Sequence, residues 1–420
     1  MKYLLNDGLR SLVGHMGNAD KDKTASTTYS YVRIPDDQLI AAYSSSWVAK
    51  KIVNLPANDM IRKWRTWESD NPLAIASEER RLKLKAKILE CKIKARLFGG
   101  AAIFMGTGQD LTQPLNINAI KKGGLRYLKV LDRRELIAGN IINDPLDERD
   151  NRAEFYTVSG VRESLNIHPS HFAIMMGEPN MELAYNDGWG ISILQSAMDA
   201  IKNADSTAKN IAGLVFEANV DIVGIPDLAA NLASGGESYE RAVLQRIALF
   251  AQGKGISGVG LLDKEEEYKR NTASFAQLPD LLENYLMIAG ASEGIPASRF
   301  LGSAPKGLNS TGEGDMKNYY DGIQSKQNNE LSNEIAELDL ALQQSAGVRG
   351  EYAWEPLEQA NDSEEAANGK TVADTLKIVD DLGVFSGDEM REISIRALQA
   401  WGIEREIDEI TSGAMGDNDE

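Results

Sequence analysis

One cysteine in 420 residues, Cys91, excludes an internal disulfide framework. Three histidines, His15, His168 and His171, leave little material for a zinc centre or a histidine-based hydrolase. No run of about 18 apolar residues occurs, so no helical membrane span is expected. After Met1-Lys2-Tyr3-Leu4-Leu5, the turn-like Asn6-Asp7-Gly8 interrupts the N-terminus before a leader can form. The chain therefore reads as soluble and cytoplasmic at synthesis. Positive charge is also short: 45 Lys and Arg face 63 Asp and Glu, a net charge of −18. Residues 351–420 hold 19 of the acids and 5 of the bases, which leaves only −4 for everything before them. Nucleic-acid affinity comes largely from cations that neutralise phosphates, so any contact with DNA is expected to be loose or confined to a few Lys and Arg.

What the chain does hold is apolar material, 42% of its residues, enough for a sizeable core and a length compatible with two or three domains. The stretch 278–345 organises the rest. An apolar helix over Leu281–Ala291 leads through Gly294-Ile295-Pro296 into a glycine-studded loop, 302–314, and then a long helix from about Asp315. Met316, Tyr320, Ile323, Leu331, Ile335, Leu338 and Leu342 recur at helical steps, with Gln327 as the one polar gap. About 30 residues at about 1.5 Å each make a rod of about 45 Å.

Residues 15–31 read as a flexible arm. An amphipathic helix around Trp47–Leu55 is expected to end near Pro56. Glu78–Leu97 reads as one helix whose seven Lys and Arg between Arg81 and Arg96 form a solvated face. Phe98–Gly106 reads as a buried strand entered through glycines, with short strands at 125–131, 134–142 and 154–158. The helix opened by Gly188–Ser192 carries a stripe poor in bulk (Leu194, Ala197, Ile201, Ala204, Ala208, Ile211, Val215) that lets another helix approach closely. An extended piece follows from 219, then a helix over Tyr239–Ala251 and a turn into a strand at 253–262. Helices at 371–382 and 388–401 close the chain, the latter introduced by a capping box of Ser386 and Glu389.

Catalytic signatures are weak. Gly253-x-Gly-x-x-Gly258 has the dinucleotide spacing, but a helix precedes it and a strand follows, the reverse of the required order. Gly302-x-x-x-x-Gly307 is half a P-loop with Leu308 where the lysine belongs. No serine sits in a G-x-S-x-G elbow. Pro169 between His168 and His171, with no second cysteine, favours structural histidines over metal ligands. The loop 302–314, with its single cation Lys306, reads either as a plain surface loop or as a mobile loop facing a polyanion. The adjoining rod favours the second.

Several stretches, in order, resemble the portal proteins of tailed double-stranded DNA phages. They are Val53-Asn-Leu-Pro-Ala-Asn-Asp-Met60 with Arg62-Lys-Trp64, Ala95-Arg-Leu-Phe-Gly-Gly-Ala-Ala102, Leu131-Asp-Arg133, Ile167-His-Pro-Ser-His171, Gly188-Trp-Gly-Ile-Ser192, Gly294–Gly302 and Leu308-Asn-Ser-Thr-Gly-Glu313. The resemblance implies an α+β, mainly helical fold with wing, stem, clip and crown around a central channel. It divides the chain into an arm (1–30), a wing (31–188), a stem helix (189–218), a clip (219–278) and a second stem helix (279–300). A tunnel loop (301–315), a long wing helix (316–350) and an acidic helical crown (351–420) complete it. Lys306, Asn309, Ser310 and Thr311 would line the DNA channel. Glu237, Tyr239, Arg241 and Lys254 would meet the terminase and head–tail connector. A ring of usually twelve copies at one capsid vertex is implied, assembled in the host cytoplasm. Its partners would be the large terminase, the connector or adaptor, the major capsid or scaffold protein and double-stranded DNA in transit. No catalytic residue, cofactor or metal is expected, and no enzymatic activity. Relatives of the family are sometimes linked to cleavage of cyclic oligonucleotides that blunts host immunity. That alternative calls for paired His-x-Thr motifs, which His168-Pro-Ser and His171-Phe-Ala do not match. A head–tail adaptor is the third reading.

Overall fold

Ser46 starts the helix on which the larger part of the molecule is assembled. The structure, a computed structural model, describes residues 31–160, 165–179, 187–217, 219–252, 267–272, 277–302, 312–358, 362–383 and 385–399. Helix α1 (Asp36–Ser45) stops at Ser46, whose hydroxyl accepts from the Ala49 N–H at 3.3 Å and caps α2 (Trp47–Arg62). Strand β1 (Arg65–Ser69) leads to α3 (Pro72–Leu82), opened by the Asn71 side chain and by proline at its first position. Next come α4 (Leu84–Phe98), β2 (Gly100–Gly106), β3 (Tyr127–Asp132), β4 (Leu136–Ala138), β5 (Tyr156–Val158) and β6 (Phe172–Met176). The chain continues through α5 (Leu194–Glu217), β7 (Asn219–Gly224), α6 (Leu228–Gln252), β8 (Glu267–Thr272), α7 (Leu278–Ala291) and α8 (Ala297–Leu301). Helix α9 (Glu313–Lys326), α10 (Ala336–Ala346) and β9 (Gly350–Trp354) end the first of two compact units, 1–355. No helix among the described residues is long and apolar enough to cross a membrane.

Pro56 does not end its helix. Lacking an N–H, it leaves the Ile52 carbonyl without its usual partner four residues on. Arg96 supplies the donor: its Nη2 reaches Ile52 O and its Nε reaches Val53 O, each at 3.0 Å. The helix thus runs on to Arg62 because a buried guanidinium from α4 stands in for the missing amide. Arg96→Met is expected to cost about 2–3 kcal/mol, the penalty of orphaned buried acceptors. Pro56→Ala in the same background restores an amide and should recover part of that loss. A double-mutant cycle in urea would test the coupling, and additive effects would refute it.

Two other expectations change. The single helix read over 78–97 is divided at Lys83, whose left-handed φ of 54° ends α3 and starts α4. On α4, Lys92 and Arg96 are buried and do not belong to a solvated face, since Glu334 meets Lys92 Nζ at 2.8 Å. The long rod is interrupted as well. A π turn at Gln327–Leu331 follows α9, and Ile335 leaves helical geometry before α10. Gln327 is the cause of interest: wholly buried, it donates Nε2 to Met60 O at 2.6 Å and ties the turn to α2.

The principal sheet is antiparallel in the order β3-β2-β6, with Ile103 opposite Val130 on one side and Ala173 on the other. Helix α4 packs across it. A core of Ala102, Leu131, Leu136, Ala153, Tyr156, Ile167, Phe172 and Trp189 joins the sheet to the β4–β5 hairpin. β1 pairs with β9 from the far end of the unit, Arg65 opposite Trp354 and Ser69 opposite Gly350, and β7 pairs with β8. The second unit, 356–420, contains α11 (Asp362–Asp381) and α12 (Gly387–Gln399), which pack on each other. The expected capping box is present: Ser386 Oγ accepts from the Glu389 N–H, and Glu389 Oε2 accepts from the Ser386 N–H at 2.9 Å.

Candidate functional site

The channel residues expected from the sequence, Lys306, Asn309, Ser310 and Thr311, lie outside the described residues, as does Lys254. The two ends of the loop that carries them are described, and both are anchored to α2. Helix α8 stops at Gly302 (φ 74°), and Gly312 (φ 70°) opens α9. Left-handed φ at both points is the conformation glycine adopts at least cost. Arg299 on α8 forks onto Asp59, with Nη2 to Oδ1 at 2.6 Å and Nε to Oδ2 at 3.0 Å. Tyr319 on α9 donates its hydroxyl to the same Asp59 Oδ2 at 2.9 Å. Lys51 Nζ adds a bond to Phe300 O at 2.6 Å and lies over the Trp47 and Phe300 rings. One fully buried carboxylate therefore fixes the spacing of the loop's two roots. The hydrogen bond to Asp59 holds the Arg299 guanidinium firmly charged. Burial, then the charge of Asp59, pushes the Tyr319 hydroxyl far up, so it stays a donor. Asp59 and Arg299 were not singled out from the sequence. The available signal was an acid at a position on the inward stripe of α2, beside Ala57, Met60 and Ile61.

The low-bulk stripe of α5 is used in two ways. Leu194, Ala197, Ile201 and Ala204 are buried, and α5 packs along α7. Further along, Ala208 is exposed and Leu214 is 43% exposed. On α7, Leu281, Met287 and Ile288 are exposed too, as are Leu244 and Ile247 on α6. Of the expected terminase-facing residues, Glu237 and Arg241 are exposed on α6 and pair with each other at 3.2 Å, one turn apart, with Tyr239 half-buried between them. Helix α6 bends at Gly236, whose φ/ψ is not helical.

Where α7 turns back toward the body, Glu293 lies 3.8 Å from Arg96 and accepts from Ser196 Oγ at 3.4 Å. Burial, opposed by Arg96, pushes its carboxyl up to about 7. A folded value above the ordinary one gives stability that is complete below about pH 4.5 and lost as pH rises through 7. Thermal unfolding between pH 5 and 8 should therefore show a falling midpoint, and Glu293→Gln should flatten that slope. Parallel slopes for the two proteins would refute the assignment.

The histidines are structural in part. His171 is buried with Nε2 on Gln113 O at 3.0 Å, and His168 caps the short turn at Pro169–His171 through its ring. Among the described residues no group of three His, Cys, Asp or Glu is placed to hold a metal. Cys91 is buried, and burial raises its thiol, so it is no nucleophile.

Comparison with known proteins adds three findings. The family described as phage portal protein matches residues 37–378. A protein of Caulobacter sp. (strain RHG1) named Anti-CBASS protein Acb1 is 36% identical over 388 residues, 88% of this chain and 62% of its own. One of the same name from Sphingomonas paeninsulae is 34% identical over 402 residues, 91% of this chain and 64% of its own. This chain thus spans just under two thirds of the length of these relatives. Among solved structures, the neck of a native gene transfer agent particle, computed with C12 symmetry, superposes with a TM-score of 0.55. That match is 15% identical, covers 88% of this chain and 96% of the other, and shows a common fold. The relatives' name overturns the expectation that the chain has no enzymatic activity, because it fits the cyclic-oligonucleotide alternative raised above. The family match runs from α1 into α11, and the chain belongs to the phage portal protein family.

Proposed function

We propose that the chain is a portal subunit that closes into a ring of twelve copies through head-to-tail contacts between copies at one vertex of a capsid. The observation that carries this reading is the apolar surface left along α5, α6 and α7: Leu214, Leu244, Ile247, Leu281 and Ile288 are each more than 40% exposed in one copy. A neighbouring copy would cover them. On this reading residues 31–188 and 316–350 form the wing and 189–218 and 279–300 the stem. The clip is 219–278 and meets the large terminase and the connector through Glu237, Tyr239, Arg241 and Lys254. The tunnel loop is 301–315, with Lys306, Asn309, Ser310 and Thr311 facing passing DNA, and 351–420 form the crown. Twelve copies are supported by the symmetry stated for the gene transfer agent neck. Mass photometry and negative-stain images of the purified chain should give rings with a central pore. Monomers or dimers at every concentration would sink the reading.

A second reading is favoured by the name of the two relatives: cleavage of cyclic oligonucleotides that counters host immunity. Incubation with cyclic dinucleotides and trinucleotides, followed by chromatography of the products, tests it directly. Turnover by the longer relatives but not by this chain would place the chemistry in the part of them that this chain does not span.

A further inference from the structure

Between the β4–β5 region and the start of α10 lies a cleft of about 570 Å³ whose wall chemistry no channel, stem or clip role uses. Its volume falls within the range of small-ligand sites, about 300–1,000 Å³. One rim carries Arg149 and Arg152, both exposed, and neither has an ion pair among the described residues. Beside them stands His168. Ser170 donates to its Nδ1 from both the backbone N–H (3.2 Å) and the hydroxyl (2.8 Å), while Ser170 Oγ accepts from Leu115 N–H at 2.7 Å. With Nδ1 fixed as the acceptor, the neutral ring carries its proton on Nε2 and offers a donor there. Burial and the adjacent Arg149 keep that ring neutral. The aromatic wall is Tyr156 and Phe172, 5.7 Å apart and edge to face. The opposite wall presents two acids that differ. Glu334 is already engaged by Lys92 and by the Met176 N–H. Glu337 has no partner among the described residues.

We infer that this cleft binds a nucleoside phosphate: Arg149, Arg152 and the His168 Nε2–H receive the phosphoryl group, and Glu337 receives the sugar hydroxyls. Two free guanidinia and a fixed N–H donor on one rim suit a phosphoryl group, for which arginine's forked geometry is matched. Of the acids lining the cleft (Glu148, Glu334 and Glu337), Glu337 has no partner among the described residues. A carboxylate across an aromatic wall suits the ribose diol of a nucleoside, the pairing that dinucleotide sites use. An orthophosphate ion alone would leave Glu337 unused. The inference goes beyond the ring and does not depend on turnover.

The test is calorimetric titration of the full-length chain with AMP, adenosine and inorganic phosphate at fixed salt. AMP is expected to bind at least about tenfold more tightly than either of the other two, because each retains only half of the contacts. Arg149→Ala/Arg152→Ala should weaken AMP by about tenfold or more. Both arginines are exposed, and an unchanged thermal midpoint would verify that the double variant folds. Glu337→Gln should weaken AMP and adenosine while leaving phosphate unchanged. AMP binding that ignores the arginine pair, or its absence at millimolar concentration, overturns the site. Phosphate binding as tight as AMP, with no effect of Glu337→Gln, overturns the nucleoside assignment. Product analysis of the same samples reports cleavage separately, so failure of the enzyme reading leaves the binding result interpretable.

Discussion

Replacing Arg65 with methionine is expected to lower stability by about 3–5 kcal/mol, the range for removing one partner of a buried ion pair. The guanidinium is fully buried and grips Asp339 with two bonds of 2.5 Å. It reaches Glu79 Oε1 as well, from Nη2 at 3.0 Å and from Nε at 3.2 Å. Around it stand Tyr352 at 4.2 Å, Trp67 at 4.7 Å, Trp64 at 5.2 Å and Trp354 at 5.9 Å. Trp64 and Trp67 also donate their indole N–H groups to Glu79. Methionine fills the volume but leaves two carboxylates in a nearly dry site, Glu79 with the two indoles and Asp339 with the Tyr352 hydroxyl. Because β1, α3, α10 and β9 all meet here, the loss falls on contacts that span 274 residues. Urea unfolding followed by tryptophan fluorescence reports on the node directly, since three of the chain's six tryptophans lie in it. Arg65→Met/Asp339→Asn should recover part of the loss by removing one stranded charge. A shift worth less than about 1 kcal/mol in the single variant would refute the role.

The same node marks where sequence reasoning stops. Period and punctuation made β2 legible: glycines at its entry and an apolar run without charge. They also make legible the helix over 281–291, which the structure starts three residues earlier, and the Ser386 capping box, because each is decided within a few residues of its own position. Arg65-Thr-Trp-Glu-Ser69 carries two charges in five residues, and its partner strand is near the other end of the unit, so nothing local marks it as sheet. Lys92 and Arg96 looked like surface because their neighbours are basic. Their burial depends on Glu334, Ile52 and Val53, acceptors supplied by other elements. Gln327 shows in the sequence only as a polar gap in an apolar stripe. The break is itself the contact, made to Met60. At the loop the glycines at 302 and 312 were legible, whereas Asp59, which holds both roots, needs the fold to be seen.

Gly99→Ala should be nearly as damaging as the loss of Arg65, at about 3–5 kcal/mol, because two penalties coincide. Gly99 ends α4 with φ 90°, and a Cβ there would lie 2.3 Å from Gly190 O. The chain crosses itself at this point. Gly177 donates its N–H to Gly99 O at 3.0 Å, and a Cβ on Gly177 would lie 2.5 Å from Gly99 Cα. A Cβ on Gly190 would lie 2.6 Å from Glu178 O, beneath a bridge between Glu178 and Ile191 bonded at 2.9 Å in both directions. Backbone meets backbone on every side, so no side chain can swing away to make room. Gly123→Ala isolates the other penalty: its φ is 73°, yet a Cβ there meets nothing within 4 Å, and about 1 kcal/mol is expected. The difference between the two variants measures the close approach alone, and equal losses would mean that it does not constrain the fold. The junction also sets where α5 leaves the sheet, through Ile193 N–H on Arg96 O at 2.9 Å. Any Gly99→Ala protein that still folds should therefore misdirect α5, and the ring proposed above should fail to form before the secondary structure is lost.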